Sequence, residues 1–359
     1  MKWRNLALLP LFAVIVLVQV LCSATDSIYY LTQLTMSAYY SLLIIGLCVL
    51  MGYAGQISMG HAGFFAIGGY LSAALTTRSL VAFQDHVLVR LLQAVGCLNA
   101  GQDIYGEPLL VVTPWAACVI AVLTAAAVAL LLGIPVLKLK GHYLAMATLG
   151  FGIIIYRIVL ASSYFGEADG ISSVPGFTLL PGLSVNGEFS SRVDNYYIAW
   201  GVLLLGMLLL RNLINSRAGR ALRAIHGSIE AADAVGVDTA RFKVYTFVLS
   251  AVFAALAGVL LTHYNGGIGP SEAGIMKSVR YVAIVAVGGM ANLWGALIMG
   301  VVLNFLSLRG LFGSYDDAVF GLILILIMLF APGGILNLRL GALWDKLRPR
   351  GKSGEEGAS

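Results

Sequence analysis

The chain has 359 residues, 59% of them hydrophobic and 11% charged, with a formal net charge of +5. Soluble domains are about 45–50% apolar and about 25% charged, so this composition excludes a single water-soluble globule. Cys22, Cys48, Cys97 and Cys118 fall at no metal-ligand spacing and suggest no disulfide framework.

Ten apolar segments approach or exceed the length that crosses a hydrocarbon core, which takes about 20 helical residues. They cover 5–22, 28–51, 62–77, 110–134, 141–163, 196–214, 242–264, 278–290, 292–309 and 315–332. Backbone groups inside a bilayer must bond one another, so continuous runs of this kind are helices. The expected fold is an all-α polytopic membrane protein with about 8–10 transmembrane helices. The membrane body covers 1–340, with the polar loop 215–243 inside it, and 341–359 form a charged tail. Segments 62–77 and 278–290 are short and glycine-rich, which leaves either open to being a broken or re-entrant helix.

The first segment follows Lys2 and Arg4 and ends near Cys22-Ser23-Ala24, like a signal peptide. Its apolar run is long enough to stay as an anchor, and that is the reading taken. The stretch 52–69 then carries Gly52, Gly55, Gly60, Gly63, Gly68 and Gly69, with Gln56, Ser58 and His61 among them. Small residues let helix backbones approach closely. Interrupted, polar helix segments also line transport paths. A second block, with Gly288, Gly289, Asn292 and Gly295, has the same character. Gly55, Gln56, Ser58, Gly60, His61, Gly289 and Asn292 are therefore candidates for a substrate path. Close helix packing is the plainer reading of both blocks, and a hydrogen-bonded structural role is the plainer reading of His61.

Residues 78–109 are polar, with Leu88 to Val95 suited to a short surface helix. Arg157 stands inside a span but near its outer end, where a functional charge and a snorkelling one are equal alternatives. Residues 164–195 are rich in Gly, Ser, Pro and Asn and read as a loop.

Residues 215–243 form a polar island between two apolar runs. Ser228 suits a helix N-cap, Glu230-Ala231-Ala232 a short helix, and Gly236 its end. Most of the 22 basic residues, including Arg217, Arg220, Arg223, Arg241 and Lys243, fall on one side if the N-terminus is cytoplasmic. The positive-inside bias then places the island and both termini in the cytoplasm. Gly351-Lys352-Ser353 has the end of a phosphate-binding loop, but Lys346 stands where the first glycine belongs and no strand precedes it. No nucleotide, metal or catalytic set is read in this chain, and it is not expected to be an enzyme.

Glu-Ala-Ala, three residues, then Gly resembles the signature loop of ABC importer permeases. The wider stretch GRALRAIHGSIEAADAVGVDTARFKVYTF, Gly219 to Phe247, is similar to the branched-chain amino acid permeases of the LivM kind. Gly52 to Phe65, Lys140 to Gly150, Glu167 to Ser172, Val287 to Ala296 and Pro332 to Ile335 agree with that family. The Ile-x-Leu-Pro of the broader importer motif is absent. The resemblance implies a subunit of a binding-protein-dependent importer in a bacterial inner membrane. Glu230, Ala231, Ala232, Gly236 and Arg223 would then contact an ATPase through a coupling helix. Asp169, Gly170 and Glu272 would meet a periplasmic or lipid-anchored binding protein. The resemblance also implies a second permease, a different homologous chain, and two ATPase subunits that carry the ATP and Mg. The implied cargo is a branched-chain or other hydrophobic neutral amino acid. Urea or a short amide is the alternative. An ion-coupled transporter fits less well, since no acidic residue stands in the interior of a span.

Overall fold

A computed structural model describes residues 9–330 apart from 82–83, 103–107, 137–138, 140, 181 and 311–312. The tail 341–359, the basic residues Lys2, Arg4, Lys138 and Lys140, and the segment Pro332 to Ile335 lie outside the described residues.

Among the described residues each of the ten expected segments holds a helix, although 110–112, expected to open a span, form a strand instead. The helices are α1 (Leu9–Ala24), α2 (Tyr29–Ala54), α3 (His61–Thr77), then, after a short α4 (Val87–Ala94), α5 (Pro114–Val136), α6 (His142–Ala161) and α7 (Arg192–Asn215). After the short α8 (Arg217–Gly227) and α9 (Ile229–Ala234) come α10 (Thr239–Asn265), α11 (Ile275–Gly288), α12 (Leu293–Leu308) and α13 (Asp316–Phe330). Among the described residues five of these, α2, α5, α6, α7 and α10, are long and apolar enough to cross a membrane, and α1 and α12 are apolar but shorter. The two glycine-rich segments are continuous helices, α3 and α11. With 14 residues, α11 spans only about 21 Å at 1.5 Å per residue.

α2 is the axis of the bundle: 89% of its apolar window is buried, against α7, α10, α12 and α11. α3 packs on α10 at backbone distance. A Cβ on Gly68 would stand 2.2 Å from the Ala255 carbonyl oxygen, and one on Gly258 2.1 Å from that of Phe65. Only glycine permits that approach, so much of the glycine pattern in 52–69 is packing.

Among the described residues one end of the bundle holds three two-stranded antiparallel sheets. β1 (Leu98–Gln102) pairs with β2 (Pro108–Val112), and β4 (Phe177–Leu180) with β5 (Leu183–Val185). β3 (Ile171–Ser172) pairs with β6 (Gly267–Ile268). The segment 164–195, read as a loop, is thus held by strand pairing. His263 ties this layer to the bundle, bonded at one ring nitrogen to Ser72 Oγ and at the other to the Pro175 carbonyl, both at 2.7 Å. α8, α9 and the α2–α3 turn gather at the opposite end.

Candidate coupling and transport sites

The polar island folds as a rigid platform. Ser216 Oγ accepts a hydrogen bond from the Ala218 amide at 3.1 Å and opens α8. Gly219 lets α8 turn back against α7, since a Cβ there would stand 2.0 Å from the Ile214 carbonyl oxygen. Arg223 donates to that same oxygen at 2.6 Å and to the Gly219 carbonyl at 3.3 Å. Its guanidinium therefore braces the α7–α8 corner.

α9 is capped at both ends. Ser228 Oγ accepts from the Ala231 amide at 3.2 Å. At the other end the Gly236 amide donates to Asp233 O and the Val237 amide to Ala232 O, both at 3.0 Å. This bond pair is a Schellman closure, which needs its first donor residue in the left-handed conformation. Gly236 supplies it with φ of +83°. Asp233 also accepts from Thr239 Oγ1 at 2.8 Å, and Asp238 caps α10 through the Arg241 amide at 3.1 Å.

The two alanines of the Glu-Ala-Ala motif face opposite ways. Ala232 is buried with Ala54, Leu222 and Ile225, gluing the platform to the end of α2. Glu230, Ala231, Asp233, Ala234 and Gly236 are exposed. Val235 is 77% exposed and is the apolar tip of this face. Its signal in the sequence is an apolar residue directly before the capping glycine, and the motif alone does not single it out.

The substrate-path candidates fall into three groups. Gly55 and Gln56 line a cavity of about 260 Å³ under the platform, together with Leu144, His226, Glu230 and Lys243. The Gln56 carboxamide is buried, and neither of its polar atoms has a hydrogen-bond partner among the described residues. Ser58, Gly60 and His61 belong to packed interior. His61 is bonded to Ser58 Oγ at 3.1 Å and to Ser250 Oγ at 2.7 Å, and a Cβ on Gly60 would stand 2.5 Å from Thr148 O. Gly289 and Asn292 join α11 to α12 beside the end of α2. There Tyr53 donates to Ala291 O at 2.8 Å, and Asn292 Oδ1 caps α12 through the Gly295 amide at 3.1 Å.

At the sheet end, Asp169 is exposed and Gly170 packs on Ile268. Glu272 turns inward. Its carboxylate accepts from Tyr40 Oη at 3.1 Å and pairs with Lys277 at 3.0 Å, leaving the side chain 19% exposed. Arg157 is exposed near the same end of α6. Among the described residues no cluster of His, Cys, Asp or Glu is fit to hold a metal.

A buried apolar axis, spanning helices around it, strand pairs at one end and a capped polar platform at the other are the build of a multi-pass membrane transport protein. The chain belongs to the family described as branched-chain amino acid transport system / permease component, which matches residues 29–328. It is 29% identical to the high-affinity branched-chain amino acid transport system permease protein LivM of Escherichia coli (strain K12). That match covers 90% of this chain and 73% of the relative. It is 30% identical to the LivH permease protein of the same system and strain, over 86% of this chain and 96% of that one. A fructose import permease protein, FrcC of Rhizobium meliloti, is 29% identical over 48% of this chain. No solved structure gives a significant match.

Proposed function

We propose that this chain is a membrane-spanning permease subunit of an ABC importer that carries branched-chain or other hydrophobic neutral amino acids into the cytoplasm. The capped α9 carries the proposal. It is a short rigid helix with one face buried on α2 and the other open. α7 enters its platform and α10 leaves it, so a push on α9 reaches two spanning helices directly.

In this reading a cytoplasmic ATPase receives the face made by Glu230, Ala231, Val235 and Gly236. Ala232 and Arg223 transmit force, one through apolar contact with α2 and the other through the α7 corner. Two ATPase subunits hold the ATP and Mg, and this chain holds neither. A second, homologous permease completes the membrane part. A binding protein docks at the sheet end near Asp169 and Gly170. ATP drives uptake only if the ATPases bind the inward- and outward-facing states unequally.

The test is co-purification of the ATPase with the permease. Wild type and Ala231→Ser should retain it, while Ala231→Arg should lose it with membrane insertion unchanged. ATPase retention by Ala231→Arg would remove α9 as the docking helix.

A further inference from the structure

The chain feeds α7 and α10 directly into the platform, whereas α11 and α12 lie further along it. Their contact with that end of the bundle runs through the last turn of α2. There the α11–α12 turn lies on α2 at backbone distance, since a Cβ on Gly52 would collide with the Met290 carbonyl. Cys48 Sγ donates to that same carbonyl at 3.5 Å, and Tyr53 Oη donates to the next one, Ala291 O, at 2.8 Å.

The turn is stiff. Gly288 backs onto α12, where a Cβ would stand 2.6 Å from the Gly295 carbonyl oxygen and from the Ala296 amide nitrogen. The Asn292 amide donates to Gly289 O at 2.9 Å. A displacement of Ala291 therefore carries α11 and α12 together.

Tyr53 faces two ways. It packs against the main core of the bundle and against the platform cluster of Ala54, Leu222, Ile225 and Ala232. One side chain thus joins the platform, through its ring, to the α11–α12 turn, through its hydroxyl. Coupling between separate elements travels along such chains of packing and hydrogen bonds.

We infer that Tyr53 is a positioning residue for coupling, which passes a movement of α9 on to α11 and α12. This rests on the importer function proposed above and extends the drive from two helices to four.

The test is leucine carried per ATP hydrolysed, in proteoliposomes holding the full complex with binding protein outside and ATP inside. Tyr53→Phe keeps the ring and removes the bond. Ala291 is exposed, so water takes the vacated carbonyl, and assembly, ATPase co-purification and ATP hydrolysis should hold. Leucine per ATP should fall about three- to tenfold, the range that one neutral hydrogen bond commands. Tyr197→Phe is the control, because it removes a bond to Gln19 at 3.2 Å away from the platform, and it should couple like wild type. Hydrogen exchange reads the relay itself. The change that ATP causes over residues 289–293 should shrink in Tyr53→Phe, while the change over 214–219 at the α7–α8 corner stays. Wild-type leucine per ATP in Tyr53→Phe would refute the relay and leave the importer standing. Loss of assembly in Tyr53→Phe would also refute it, by making the hydroxyl a support of the fold. A wild-type complex whose leucine uptake ignores ATP would refute the importer reading itself.

Discussion

Replacing Gly236 by valine isolates what the end of α9 contributes. The residue sits at φ of +83°, and a Cβ there meets nothing within 4 Å. Within this chain bulk therefore costs nothing, and the penalty to the fold of α9 is backbone strain alone. An L-residue in the left-handed region costs roughly 1–2 kcal/mol, and a β-branched one is a true outlier there. α9 has only six residues and is closed by two hydrogen bonds that need this conformation. A penalty of that size shifts the balance toward an opened loop by about 5–30-fold. Hydrogen exchange over residues 228–239 in the assembled complex should rise by that factor, and ATP-driven uptake should fall. Gly236→Asn should sit close to wild type, because asparagine enters this region readily. Wild-type exchange and uptake in Gly236→Val would refute both the closure and its role in coupling.

Other substitutions separate packing from docking. Ala232→Arg puts a charge into a site 2% exposed. It should cost several kcal/mol and detach the platform, seen as protease cleavage near 228–239. Val235→Asp lies on the open face, so the melting temperature should hold, with stability within about 0.5 kcal/mol. Affinity for the ATPase should drop by about 1 kcal/mol or more if Val235 anchors the contact, read as a titration of ATPase onto immobilised permease. Gly68→Ala forces a Cβ to 2.2 Å from Ala255 O and should destabilise the α3–α10 contact by about 1–3 kcal/mol. Gly150→Ala is the neutral control, since its Cβ meets nothing within 4 Å. Thermal unfolding in detergent distinguishes the two.

Much of the helix plan was legible because apolar length is a local property. Each of the ten expected segments holds a helix among the described residues, and the caps at Ser228 and Gly236 follow from residue type and position. The direction of side chains was less legible. A helix of six residues is too short for periodicity to say that Ala232 points inward and Ala231 outward. Only packing on Ala54, far back in the chain, decides it. Glu272 looks like part of a polar loop, yet its partner Tyr40 lies 232 positions away. The pairing of β3 with β6 is also remote in sequence, so 164–195 reads as loop until the fold brings Ile268 beside Ile171. The glycines of 52–69 carry two signals at once. Gly68 is explained by the Ala255 backbone, whereas Gly55 faces His226 at the cavity under the platform.

Uptake of labelled leucine by proteoliposomes that hold this chain, its partner permease and the ATPases, with binding protein outside, tests the proposed function most directly. Uptake that requires internal ATP and is blocked by excess unlabelled isoleucine or valine is the expected result. Leucine entry at the same rate without ATP would contradict it.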